Sequence, residues 1–241
     1  MIAHSPYDPG YETGRSELIA SQLEALYAVS RTLNSSLDLN ETLREVLKLL
    51  HDHGGLECGM VALLSESGEY MQTAAVHCFA EGAGPKARYK PGEGVVGAIL
   101  QHGSSIVIPK LDQEPRFLDK LGIYDTRSPF LGVPIRLGDG GPVGVFAAQP
   151  PAGDESLIEE RLRFLEMVAN LIAQSVRLSL QVENERESIA KERDSLQRKV
   201  KSNYSLDNMV GRTAPMRRVF DLIRQVAKWN TTVLVRGESG T

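Results

Sequence analysis

Phe130-Leu-Gly-Val-Pro-Ile-Arg-Leu-Gly-Asp-Gly-Gly-Pro-Val-Gly-Val-Phe-Ala-Ala-Gln149 is two apolar runs joined by a glycine-rich turn, and its reading decides the fold. Leu131, Val133, Ile135 and Leu137 fall on one face, with Gly132, Pro134 and Arg136 on the other. That is the period-two pattern of a strand. Gly138–Pro142 holds turn-forming residues, and Val143–Gln149 runs back, so the stretch is an antiparallel hairpin. Gly59–Leu64 and Tyr70–Phe79, joined by Ser65-Glu-Ser-Gly-Glu69, predict a second hairpin. On its return strand Ala74, Val76 and Cys78 are expected on one face, and Thr73, Ala75 and His77 on the other. Ile106–Pro109 adds a short strand, and Gly92–His102 reads as a short helix.

Helical periodicity brackets these strands. Leu18, Ile19, Leu23, Leu26 and Val29 share one face of a helix over Ser16–Leu33. Asn40 is the expected N-cap of a second helix carrying Leu43, Val46, Leu47 and Leu50, which Gly54-Gly55 ends. A third helix is expected from Asp154 to Leu180, passing without Gly or Pro into the charged stretch Gln181–Lys201. There Val182, Ile189 and Leu196 recur at heptad spacing, short of a full coiled-coil signature. Thr213 caps a further helix with Pro215 in its first turn, and Thr231–Val235 predicts a strand. Helices outside antiparallel hairpins define an α+β architecture.

The chain has 241 residues, 41% hydrophobic and 24% charged, with a net charge of -4. This is ordinary globular composition, and the charge gives no electrostatic footprint for nucleic acid. No apolar run approaches a membrane span, and Met1–Gly10 lacks a signal-peptide layout, so a disordered tail and a cytoplasmic protein are expected. Cys58 and Cys78 are too far apart for a Cys-x-x-Cys pair and are expected to be reduced thiols. No residues have metal-site spacing.

The last residues, Gly237-Glu-Ser-Gly-Thr241, match the first five positions of the phosphate loop G-x-x-x-x-G-K-[ST]. Gly237 and Gly240 allow the tight path, and Glu238, Ser239 and Thr241 would turn N–H groups to phosphate. The lysine is not among these residues, so no ATP binding and no catalysis are expected of this stretch alone.

Tyr89-Lys-Pro-Gly-Glu-Gly-Val-Val-Gly97, Ile106-Val-Ile-Pro109, Phe130–Ile135 and Pro142–Phe146 resemble the GAF domain, a sensor module with an antiparallel sheet flanked by helices. Met209–Met216, Ile223–Ala227 and Thr231–Thr241 resemble the opening of the AAA+ domain of sigma-54-dependent transcription activators. Taken with Gln225–Thr232 and Arg163–Gln174, the combination is most similar to nitrogen-fixation regulators of the NifA type.

The resemblance implies a tail over 1–15, a GAF sensor over 16–178, a signalling helix over 179–203 and the start of an AAA+ ATPase domain over 204–241. It implies a parent that uses ATP with Mg to remodel sigma-54 RNA polymerase and binds upstream activator DNA through regions beyond these residues. The GAF module would take 2-oxoglutarate, with His77, Arg88, Arg116, Tyr124 and Arg136 as candidate contacts, or a signal protein of the NifL or PII kind. Arginine suits a dicarboxylate because its planar fork makes two parallel hydrogen bonds. Pairing through the GAF and linker helices would give a homodimer. The alternatives are a GAF-bearing activator of another regulon, or a non-ATPase GAF signalling or redox module such as a free methionine sulfoxide reductase.

Overall fold

The computed structural model describes residues 9–36, 38–78, 86–138, 140–151, 157–203 and 213–238. They divide into two compact units, Met1–Val182 and Glu183–Thr241. The first opens with α1 (Pro9–Leu33) and α2 (Leu39–Asp52), followed by β1 (Cys58–Leu64), β2 (Met71–His77) and β3 (Arg88–Tyr89). Next come α3 (Gly94–His102), β4 (Ile106–Ile108), a 3-10 turn (Leu111–Gln113), β5 (Phe130–Arg136) and β6 (Pro142–Gln149). Helix α4 (Ile158–Asn203) crosses from the first unit into the second, which also holds α5 (Ala214–Val226).

The six strands form one sheet in the order β3-β2-β1-β6-β5-β4, with every neighbouring pair antiparallel. Both expected hairpins are present, and the first and last strands pair at the centre of the sheet through β1 and β6. The edge strands are the two shortest, which limits the unpaired backbone offered at either rim. Met60, Val61 and Ala62 of β1 are all fully buried although successive side chains point to opposite faces. Val61 joins the cluster formed with α1, α2 and α4, while Met60 and Ala62 join the cluster under α3. The sheet is therefore covered on both sides.

Strand β2 departs from simple alternation. Val61 pairs with Ala75 but Ala62 pairs with Thr73, so Ala74 is the extra residue of a β-bulge. The bulge turns both Ala74 and Ala75 to the α2 side, with His77, and puts Thr73 opposite Ala62 on the α3 side, with Val76 and Cys78. The expected face assignment of Thr73 and Ala74 is thus reversed. A ladder with one extra residue inverts every assignment on one side of it. Thr73 then fixes the short β3 edge: its Oγ1 donates to the Ala87 carbonyl at 3.1 Å and accepts the Ala87 N–H at 3.3 Å.

Four further expectations are corrected. Helix α1 starts at Pro9, inside the expected tail, because proline suits a first helical position; further along, Arg15 pairs with Glu160 at 2.8 Å. The N-cap of α2 is Asp38 instead of Asn40; its Oδ1 accepts the Glu41 N–H at 3.1 Å. Cys58 and Cys78 are joined by a disulfide, since the Gly59–His77 pairing sets them directly opposite with Cα atoms 4.4 Å apart. Residues 231–238 form no strand, and Val235 is 87% exposed. A strand exists only through hydrogen bonds to a neighbour, and none pairs with this segment among the described residues. Thr213 does stand at the N-cap of α5, with extended φ and ψ of -79° and 156°, but its side chain makes no capping bond.

Helix α4 is continuous over 46 residues, as its lack of Gly and Pro leads one to expect; the expected start at Asp154 lies outside the described residues. Helix α3 is set by a close approach. Gly92 N–H donates to the Gly97 carbonyl at 2.9 Å, and a Cβ at Gly97 would run into the Lys90 carbonyl oxygen, which is backbone and cannot swing away. Gly97→Ala should therefore destabilise the fold by about 1–3 kcal/mol. Gly14, helical and with open space around it, predicts the opposite sign: Gly14→Ala should stabilise by about 0.5–1 kcal/mol. Urea denaturation of the two variants checks both, and shifts of the same sign would contradict this account of α3.

Candidate functional site

The α3 side of the sheet carries a set of polar side chains tied to a buried interior. Its floor is Met60, Met71, Phe130 and Val145, and its wall is the Val95, Val96 and Ile99 face of α3. The segment from Leu111 to Ser128 closes it. Glu93, at the N-cap position of α3, makes no side-chain cap bond to the helix. Its carboxylate instead accepts the Lys90 N–H at 2.8 Å and Lys120 Nζ at 2.7 Å. These bonds, Lys120 first, hold the Glu93 carboxyl below its usual range. Lys120 Nζ also donates to the Arg88 carbonyl at 2.7 Å and lies 5.0 Å from the centre of the Tyr89 ring. One ammonium thus ties the closing segment to β3 and to the start of α3.

Behind that tie, Tyr89 is 2% exposed, and burial, aided by Asp119 and Glu93, pushes its hydroxyl up to about 12. Tyr124 is 8% exposed, with its ring edge-on to Phe117 and Phe130 at 5.7 and 5.3 Å. Burial raises the Tyr124 hydroxyl well above its usual range, so it stays protonated, yet it makes no hydrogen bond among the described residues. Leaving such a donor unpaired costs about 1–3 kcal/mol. Its backbone is fixed by Gln149, whose Oε1 accepts the Asp125 N–H at 2.9 Å and whose Nε2 donates to the Asp125 carbonyl at 2.8 Å. Asp125 in turn accepts from the Arg127 N–H and the Ser128 hydroxyl, at 3.1 and 3.0 Å. The result is a protonated hydroxyl held in an apolar interior, with a cation and a carboxylate at the rim.

The five residues expected to contact an effector are not gathered in one place. Tyr124 is in this interior. Arg88 is on the exposed edge strand with its guanidinium 4.7 Å from the Tyr70 ring centre. Arg116 grips Glu114 with both arms of its fork, at 2.8 and 3.0 Å, and holds that carboxyl down to about 2. Arg136 donates to the carbonyl of Gly103, the left-handed residue that ends α3, and so serves a helix terminus. His77 is on the opposite side of the sheet, its ring 5.1 Å from that of His51, and burial, then His51, lowers its pKa. Of the phosphate-loop residues, Gly237 and Glu238 lie in neither helix nor strand, and Ser239, Gly240 and Thr241 fall outside the described residues.

Residue types alone pointed to arginines and passed over Lys120 and Glu93. The signal for that pair was available: Glu93 precedes the α3 periodicity, and such a residue either caps the helix or reaches for a cation. Two concavities lie elsewhere. A polar cleft of about 400 Å³ beside the start of α2 is lined by Arg44, Lys86, Tyr70 and Gln72, and an apolar groove of about 260 Å³ between α1 and α4 is lined by Ile19, Leu23 and Met167. Among the described residues no cluster of three or more His, Cys, Asp or Glu could hold a metal ion. No described helix is long and apolar enough to cross a membrane.

Comparison with known proteins places this geometry. Residues 38–176 match the GAF domain model. The chain is 47% identical over 229 residues to the Nif-specific regulatory protein of Azotobacter vinelandii, covering 93% of this chain and 44% of that protein. It is 39% identical over 232 residues to the Nif-specific regulatory protein of Klebsiella oxytoca, covering 92% of this chain and again 44% of the relative. The chain thus spans less than half the length of these relatives. Among solved structures, the GAF domain of A. aeolicus nlh2 in an inactive state superposes with a TM-score of 0.60 at 24% identity, covering 67% of this chain and 98% of that one. The sheet, the flanking helices and the matched residues agree: the chain belongs to the GAF domain family.

Proposed function

We propose that this chain is the sensory and regulatory portion of a sigma-54-dependent activator of nitrogen-fixation genes. The observation that carries this reading is its similarity to Nif-specific regulatory proteins along 93% of its length. The order of parts supports it: a GAF domain over 38–176, one uninterrupted helix onward to Asn203, and the partial phosphate loop from Gly237. In this reading the GAF domain acts by binding, and the whole protein spends ATP with Mg to remodel sigma-54 RNA polymerase at promoters it reaches through upstream DNA.

The effector is a dicarboxylate of the 2-oxoglutarate kind, bound on the α3 side. One ligand carboxylate replaces Glu93 on Lys120, whose ammonium already pairs with a carboxylate at 2.7 Å. The Tyr124 hydroxyl, which has no partner among the described residues, donates to the ligand once the segment carrying Phe117 and Lys120 moves aside. Exchange of one carboxylate for another on a single cation costs little, so the ligand works by freeing this segment.

Two copies pair along α4. Ile189 and Leu196 stand at heptad spacing and are 63% and 53% exposed in the single chain, as unpaired coiled-coil positions would be. Ile189→Lys with Leu196→Lys should turn a dimer into a monomer in sedimentation velocity; an unchanged dimer would place the interface elsewhere.

The functional test is transcription from a sigma-54 promoter by the full-length protein, with and without 2-oxoglutarate. Ligand-dependent activity is expected, with Lys120→Ala raising the required concentration about tenfold, equivalent to ~1.4 kcal/mol. Activity indifferent to the ligand but responsive to a NifL or PII protein would replace the metabolite reading with control by a partner. No sigma-54-dependent activity under any condition would overturn the assignment.

A further inference from the structure

We propose that Cys58 and Cys78 are a reversible redox pair that governs the hold on the segment closing the α3 side. The proposal rests on where the fold sets the two sulfurs and does not depend on the identity of the effector. Cys58 begins β1 and Cys78 follows β2, and the pairing of Gly59 with His77 makes them direct cross-strand neighbours. This part of the ladder is regular, and it places Val76 and Cys78 on the α3 side with Met60 and Cys58. A Cα separation of 4.4 Å lies within the range that a disulfide spans, so bridging requires no movement of the strands.

The same backbone suits the dithiol. Each sulfur lies 3.4 Å from the carbonyl oxygen of Ile123, the residue before Tyr124. A thiol S–H can donate to that oxygen; a disulfide sulfur has no hydrogen to give. Oxidation therefore removes the sulfur donor to the Ile123 carbonyl and locks β1 to the end of β2. Reduction restores the donor and unlocks the strands.

The two cysteines differ in access. Cys58 is 7% exposed, whereas Cys78 is only partly buried. Cys78 is accordingly the sulfur that meets a small oxidant, and Cys58 the one that resolves the product. With a low-molecular-weight disulfide as oxidant, the Cys78 thiolate attacks one sulfur, forming a mixed disulfide and expelling one thiolate. The Cys58 thiolate then attacks Cys78 Sγ, forming the protein disulfide and expelling the second. Two protein thiols are oxidised, one small disulfide is reduced to two thiols, and the two protons lost by the cysteines go to the leaving thiolates.

The test equilibrates the full chain, without oxygen, in buffers of graded reduced and oxidised glutathione, followed by acid quench, alkylation and mass measurement. At the oxidising end the protein should be two hydrogens lighter and take no alkyl group. At the reducing end it should take two, with a single transition between the states. Amide exchange at Ile123 and Tyr124 should differ between the two ends. Cys58→Ser should accumulate a glutathione adduct at Cys78, and Cys58→Ala serves the same purpose should serine be poorly tolerated at this buried position. Free cysteines throughout, a stable glutathione adduct on the unsubstituted chain, or a disulfide that survives the reducing end would each overturn the proposal. So would identical exchange at Ile123 and Tyr124 in the two states.

Discussion

Everything in the GAF domain depends on the antiparallel pairing of β1 with β6 at the middle of a sheet buried on both faces. This contact joins the first strand of the chain to the last, so the six-stranded sheet is complete only once β6 is in place. Because both faces are covered, each strand must satisfy two different packing partners with alternate residues. Met60 and Ala62 serve α3 while Val61 serves the helical layer, and none of the three is exposed. A slip by one residue would exchange these sets and leave neither layer packed. Two such shifts are tolerated, at Val143 where β6 pairs with β5 and at Ala74 in the middle of β2, while the β1–β6 ladder stays in register.

The bulge at Ala74 links the fold to its chemistry. It turns Thr73 to the face that already carries Cys78, where Thr73 fastens the edge strand at Ala87 and Cys78 lies with Cys58 and Ile123. From Ile123 the chain enters Tyr124 and the turn clamped by Gln149. Further back on the same segment, Lys120 holds the rim through Glu93 and the Arg88 carbonyl. The closing segment is therefore held by a few polar contacts together with the apolar packing of Leu111, Phe117, Leu121 and Tyr124. Polar contacts of this kind are individually weak and exchangeable, so a ligand carboxylate or a change in sulfur oxidation state can compete with them.

Much of this was legible in the sequence. Period-two runs separated by glycine turns gave both hairpins, and apolar helical stripes gave the face of α2 and the inner face of α4. Both signals come from side chains meeting a single packed layer, which is what periodicity reports. What escaped depends on pairing. Neither the bulge at Ala74 nor the opposition of Cys58 and Cys78 can be seen until β1 and β2 are in register. The cap of α2 shifted from Asn40 to Asp38 because neighbouring Asx residues compete for one helix start, and only the backbone path selects between them. The arginines chosen for an effector were chosen by type; the structure spends Arg116 on Glu114 and Arg136 on the end of α3. Lys120 drew no notice because its importance comes from three partners distant in sequence. Residues 231–235 have strand composition, but composition alone cannot supply the neighbour that a strand requires.

The central claim is that the segment from Leu111 to Ser128 is the moving part and that α4 carries its state onward. Hydrogen–deuterium exchange on the full-length protein, with and without 2-oxoglutarate, addresses it most directly. The account predicts altered exchange in residues 117–125 together with altered exchange in the 183–203 part of α4, while β1 and β6 stay protected. Ligand-dependent change confined to the polar cleft around Arg44 and Lys86, with residues 117–125 unaffected, would contradict it.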